Sequence, residues 1–102
     1  MRHPFLDILN DRVLILDGAM GTSIHRYHPK ADDWGGDHLT NLSDAVSLTP
    51  PEWIREIHRS FLAAGCDAIE TNTFNGSRHV LAEFGLGDRC RELSRLGAQL
   101  AR

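Results

Sequence analysis

This sequence predicts an α/β fold with parallel strands, on three observations. Two short apolar runs, one of Val13, Leu14, Ile15 and Leu16 and one ending in Ala68 and Ile69, each stop at an acid, Asp17 or Glu70. Each acid opens a small, polar, turn-forming stretch. Between the runs lies the strongest helix signal of the chain, giving strand, helix, strand, the crossover that makes parallel neighbours. Two carboxylates would then stand at the carboxyl end of adjacent parallel strands, where α/β folds place their ligands.

The elements follow in order. Phe5, Leu6, Ile8 and Leu9 recur at helical spacing in residues 4–11, which predicts a short lead-in helix covering the bottom of the fold. Residues 13–16 are four consecutive aliphatics, suited to a strand buried on both faces. After the Gly-rich turn, residues 22–26 predict a helical turn, and residues 27–47, with Pro29, Gly35 and Gly36, read as a long irregular loop. Thr49, Pro50, Pro51 and Glu52 predict a helix start, with Thr49 as N-cap and Glu52 completing a capping box. Ile54, Ile57, Phe61 and Leu62 form that helix's apolar stripe, His58 and Arg59 are placed in solvent, and Gly65 ends it. Residues 67–71 predict the second strand. A final helical region, residues 77–102, is interrupted at Gly85, Leu86 and Gly87 and resumes from Asp88.

Strand, helix, strand, helix is a quarter of an eightfold barrel, and a closed (β/α)8 TIM barrel takes about 250 residues. The chain has 102. The expectation is therefore the N-terminal portion, about two βα units, of such a barrel, with residues 1–102 a domain truncated at its C-terminus. Two parallel strands alone leave both edges and much apolar surface open.

Composition narrows the function classes. A formal net charge of −3 with no basic cluster offers no footprint for nucleic acid or for an anionic membrane surface. With 41% hydrophobic and 25% charged residues, the chain is that of a folding protein rather than a disordered one. No apolar run approaches a membrane span of about 20 residues, and Met1, Arg2, His3 and Pro4 lead into Asp7 rather than an apolar signal core. Cys66 and Cys90 form no CxxC or disulfide pattern. A cytoplasmic protein with a small-molecule partner is the expectation.

Three blocks in fixed order carry a resemblance: residues 16–22 (Leu16, Asp17, Gly18, Ala19, Met20, Gly21, Thr22), the helix and turn of residues 57–65, and residues 69–75 (Ile69, Glu70, Thr71, Asn72, Thr73, Phe74, Asn75). The ordered trio resembles the homocysteine S-methyltransferase family. The Glu-Thr-Asn-Thr-Phe form makes the chain most similar, within that family, to the N-terminal homocysteine-binding domain of cobalamin-dependent methionine synthases. The resemblance implies a barrel, a zinc ion, homocysteine as substrate, methyl transfer to give methionine, methylcobalamin as a candidate donor, and further domains beyond this partial homocysteine-binding domain.

Homocysteine is a zwitterion carrying a thiol, and the residues can be read against that chemistry. Asp17 and Glu70 can accept from the ammonium. Backbone N–H groups of Gly18, Ala19, Met20, Gly21 and Thr22, at the start of a helical turn, can bind the carboxylate. Thr71, Asn72 and Thr73 add neutral donors and acceptors. A thiol of pKa near 8.5 is mostly protonated at neutral pH, and zinc would shift it to the thiolate.

The family's zinc ligands are cysteines of later strands, which this chain does not contain. Cys66 and Cys90 are expected to be structural thiols, so no catalytic or metal-ligating residue is assigned here. His25, His28 and His38 lie in a polar loop and are read as solvated. Met20 and Phe74 are expected as core or pocket wall, Trp34 as a cover over a pocket, and Trp53 as helix packing. Two other classes stay open. One is another barrel enzyme using residues 17–22 as a phosphate loop, which Asp17 and the missing Gly-Lys-Ser/Thr ending disfavour. The other is a non-catalytic fragment or split subunit that binds a partner chain.

Overall fold

The computed structural model describes residues 3–102. Among these, helices dominate: α1 (Pro4–Asp11), α2 (Met20–His25), α3 (Ala31–Trp34), α4 (Ser43–Val46), α5 (Pro51–Ala63), α6 (Arg78–Ala82) and α7 (Cys90–Ala101), with 3-10 turns at Asp37–Leu39 and Gly87–Arg89. The two expected strands meet at a single parallel bridge between Leu16 and Ala68. The parallel order is thus present, but it is not extended into a sheet.

The bridge is fixed from both sides. Ala68 C=O accepts the Asp17 N–H at 3.1 Å, and Ile15 C=O accepts the Asp67 N–H at 2.7 Å. The Asp67 carboxylate accepts from the Ile15 N–H at 2.9 Å and from both terminal guanidinium nitrogens of Arg12, at 2.7 and 2.9 Å. The Arg12 hydrogen bonds hold the Asp67 carboxyl down at about 2.

The expected burial of residues 13–16 on both faces is not what the structure has: Val13 is 83% and Ile15 61% exposed. A parallel strand is buried only when neighbours flank it and helices cover both faces; here it has one neighbour, at one bridge. For the same reason Glu70, itself exposed, ends a half-buried segment rather than a buried strand. Helix α1 forms where the periodicity places it, but none of its residues is buried, so it covers nothing. The radius of gyration, 15.0 Å, exceeds the ~13 Å of a compact domain of this length.

The core lies instead among the helices and includes much of the segment read as an irregular loop. Trp34, Leu39, Leu42, Ala45 and Val46 are buried together with Ile24, Ile54, Ile57, Leu81, Leu86, Leu93 and Leu100. Helices of four residues are too short to show a period, yet Gly35 at φ 95° and Gly36 at φ 132° turn the chain so that each contributes apolar side chains inward. Trp34 is correspondingly core, beside the His25 ring at 5.5 Å, and covers no pocket. Trp53 stacks on Tyr27 at 4.6 Å, and the Tyr27 hydroxyl donates to Glu56 at 2.6 Å, which pushes its pKa up to about 12.

Helix α5 begins with Pro51 at its first position, but Pro50 is the N-cap and the capping box does not form. The Thr49 hydroxyl donates to the Asp33 carbonyl, and Glu52 pairs with Arg55 one turn on. The end is as Gly65 predicts: at φ 104° it lets its N–H reach Leu62 C=O and the Cys66 N–H reach Phe61 C=O, at 3.1 and 3.3 Å, a Schellman closure. That turn delivers the chain directly to the bridge at Ala68. The break between α6 and α7 falls at Gly85, whose φ is 75°.

Candidate functional site

A pocket of about 330 Å³ opens beyond the bridge, lined by Asp17, Gly18, Ala19, Met20, Gly21, Ser43, Glu70, Thr71, Asn72, Phe74 and Asn75. The two segments that each begin at an acid therefore do meet at one cavity. Both oxygens of Asp17 accept the Glu70 N–H, at 3.1 and 3.2 Å, tying the ends of the bridged segments together. Two acceptor oxygens have more lone pairs than one N–H uses, so Asp17 keeps capacity for a ligand donor. The Glu70 carboxylate is exposed at the same mouth.

On the same pocket, α2 starts at Met20 with Ala19 as its N-cap. The amides of a first helical turn have no intrahelical acceptor. Gly18 packs against α5: a Cβ there would stand 3.1 Å from the Phe61 ring. Met20 and Phe74 are pocket wall, Phe74 almost fully exposed.

Two residues of the expected set lie outside the lining. Thr22 is on the exposed side of α2, and Thr73 turns away to hydrogen-bond the Thr71 hydroxyl at 2.7 Å and to meet Gly97 of α7. Asn72 lines the pocket but is 4% exposed, with its amide nitrogen donating to Ser43 C=O at 2.8 Å and to the Ser47 hydroxyl at 3.0 Å. Its amide donors are committed to fastening the loop of residues 71–75 onto α4.

Three participants were not anticipated. Ser43 and Asn75 join the lining, and Asp44, 1% exposed, stands behind them. Asp44 Oδ1 accepts both the backbone and the side-chain N–H of Asn75 at 3.3 Å, while Oδ2 is buried without a partner. Burial pushes the Asp44 carboxyl above its ordinary pKa, opposed by the Asn75 hydrogen bonds. No motif points to Asp44, because residues 27–47 show no period. His58 is the other surprise: expected in solvent, it is 2% exposed with both ring nitrogens unpartnered, and burial lowers its pKa against the pull of Asp17. The signal existed, since Ile54, Ile57, His58 and Phe61 follow the i, i+3, i+4, i+7 stripe.

The residues present do not fit a zinc site. Cys66 and Cys90 are free and half-buried, the Cys90 thiol donates to Gly76 C=O at 3.3 Å, and among the described residues no three His, Cys, Asp or Glu side chains are grouped to hold a metal. No described helix is long and apolar enough to cross a membrane.

The family model for homocysteine S-methyltransferase matches residues 14–102. The chain belongs to the homocysteine S-methyltransferase family. That family is a TIM-barrel family. A methionine synthase of Mycobacterium tuberculosis (strain ATCC 25618 / H37Rv) is 39% identical over 97 residues, 95% of this chain. The chain spans 8% of that relative's length. The matched region contains every residue that lines the pocket.

Proposed function

We propose that the chain forms the substrate end of an enzyme that transfers a methyl group to the thiol of homocysteine, giving methionine, and that it is the first two βα units of that enzyme's barrel. The observation that carries the reading is the convergence of residues 17–21 and 70–72 on one pocket whose lining has two carboxylates and no Lys, Arg or His. Asp17 and Glu70 accept from the ammonium, and the first-turn amides of α2 face the carboxylate. The acidic mouth disfavours the phosphate-loop alternative, because two carboxylates repel an anion.

The side chains here bind and orient the substrate and supply no group that activates sulfur. Zinc, which the family implies, does not fit these residues, and no step is derived through it; its ligands in this reading lie on other segments of the enzyme. Methylcobalamin as donor rests on the likeness to methionine synthase alone. The open strand edge at residues 13–16 and the uncovered apolar face of α1 support further barrel units as the chain's partners, and a cytoplasmic setting accords with the free thiols.

Calorimetric titration of L-homocysteine into the full-length protein carrying these residues tests the reading. Glu70→Gln should weaken binding roughly tenfold, the scale of a lost hydrogen bond to a charged group, with zinc content unchanged. Unaltered affinity, or loss of the metal, rejects the role given to Glu70.

A further inference from the structure

We propose that Asn75 is a further substrate-contacting residue, its side-chain carbonyl accepting from the ammonium of homocysteine, and that Asp44 is the positioning residue that turns it that way. The proposal rests on the substrate reading above and adds to it the group that completes ammonium recognition.

The argument begins with what Asp44 can accept. Its Oδ1 receives the Asn75 backbone N–H and the Asn75 side-chain NH2, both at 3.3 Å. A carboxylate has no donor, and Oδ1 stays an acceptor even if a proton resides on the partnerless Oδ2. Only the NH2 of Asn75 can face an ionised Asp44, or one whose proton sits on Oδ2, so the carbonyl oxygen is directed away from it. The two ends of an Asn amide are equivalent in shape; here the chemistry of a buried neighbour distinguishes them.

Asn75 is also held by its backbone. Its C=O accepts the Ser77 N–H at 2.8 Å, and one residue further the Gly76 N–H reaches Thr73 C=O at 2.9 Å. The side chain lines the same pocket as Asp17 and Glu70, and among the described residues its Oδ1 accepts no hydrogen bond. An ammonium has three N–H donors. Asp17, Glu70 and Asn75 offer it two carboxylates and one neutral carbonyl, three acceptors without a third negative charge, whose mutual repulsion would raise the cost of the empty pocket.

Two ligands test this in the full-length protein by calorimetry: L-homocysteine, and 4-mercaptobutanoate, which keeps the thiol and carboxylate but lacks the amine. Asn75→Ala should weaken homocysteine roughly tenfold and leave 4-mercaptobutanoate within about twofold of wild type. Asp44→Ala should weaken homocysteine to a similar degree, and the double variant should be no worse than either single one, because Asp44 acts through Asn75. Equal weakening of both ligands by Asn75→Ala would make Asn75 merely structural and overturn the proposal, as would homocysteine affinity unchanged in that variant. If the wild-type protein binds 4-mercaptobutanoate and homocysteine equally, no ammonium subsite exists and both this inference and the roles of Asp17 and Glu70 fall. Wild-type preference for homocysteine that survives Asn75→Ala removes this inference alone.

Discussion

Removing the Asn72 amide should destabilise the fold measurably. In Asn72→Ala the donor to Ser43 C=O at 2.8 Å and to Ser47 Oγ at 3.0 Å disappears from a position 4% exposed. The two acceptors are not equally harmed. Ser43 is half-buried, and its carbonyl loses about 1 kcal/mol, a typical net hydrogen bond. Ser47 is fully buried and its hydroxyl loses an established donor, which costs about 1–3 kcal/mol when nothing replaces it. The sum, about 2–4 kcal/mol, corresponds to a melting temperature lower by roughly 10–20 °C for a chain of this size. Urea denaturation followed by far-UV circular dichroism reads it directly, with the midpoint falling and the slope unchanged. A loss under about 0.5 kcal/mol would show that the loop of residues 71–75 is held to α4 by something other than this amide, and the clamp argument would fail.

Other perturbations separate the remaining contacts. Gly97→Ala places a Cβ 2.6 Å from the Thr73 methyl and 3.4 Å from Asn72 C=O; overpacking of about 1–3 kcal/mol outweighs the roughly 1 kcal/mol gained in helix propensity, so chemical denaturation should show net destabilisation, and a stabilised variant would refute the close approach of α7. Asp67, held at about 2 by Arg12, is a carboxyl lowered on folding, so its contribution is present above about pH 4 and lost as pH falls through about 2; Arg12→Ala should return its NMR titration toward the ordinary range. His58, lowered by burial, stays neutral in the fold while the unfolded chain takes a proton below about pH 6.5, so stability falls as pH drops from there toward the folded pKa. His58→Leu should flatten that slope in pH-dependent melts, and an unchanged slope would assign it elsewhere.

What was legible in the sequence is what depends on local pattern. Helix α5 is visible from its stripe and from Gly65, and α7 from Leu93, Leu96 and Leu100, because a dozen residues are enough for a period to emerge. The meeting of Asp17 with Glu70 is legible because a crossover fixes which ends of two parallel segments adjoin. Burial of residues 13–16 was not legible, since it depends on neighbours rather than on the residues themselves. Helices α3 and α4 were not either: one turn of helix has no period, and Pro29, Gly35 and Gly36 read equally well as a loop.

That blind spot is where the pocket gets its second layer. Residues 17–21 and 70–72 with Phe74 and Asn75 supply most of its lining from the two acid-led motifs, but what holds the second motif in place is α4 and its C-cap, through Ser43 and Ser47 on Asn72 and through Asp44 on Asn75. The motif residues alone form a flexible polar stretch, and a flexible stretch would lose ordering entropy on binding a ligand. Burying Asp44 with one oxygen unpartnered costs stability, and an apolar residue there would hold neither amide of Asn75. The cost is understandable if orientation of Asn75 matters to binding, which is why the Asp44→Ala and Asn75→Ala variants are most informative when stability and ligand preference are measured on the same samples: a purely structural Asp44 would lower the melt and leave the preference for homocysteine over 4-mercaptobutanoate intact.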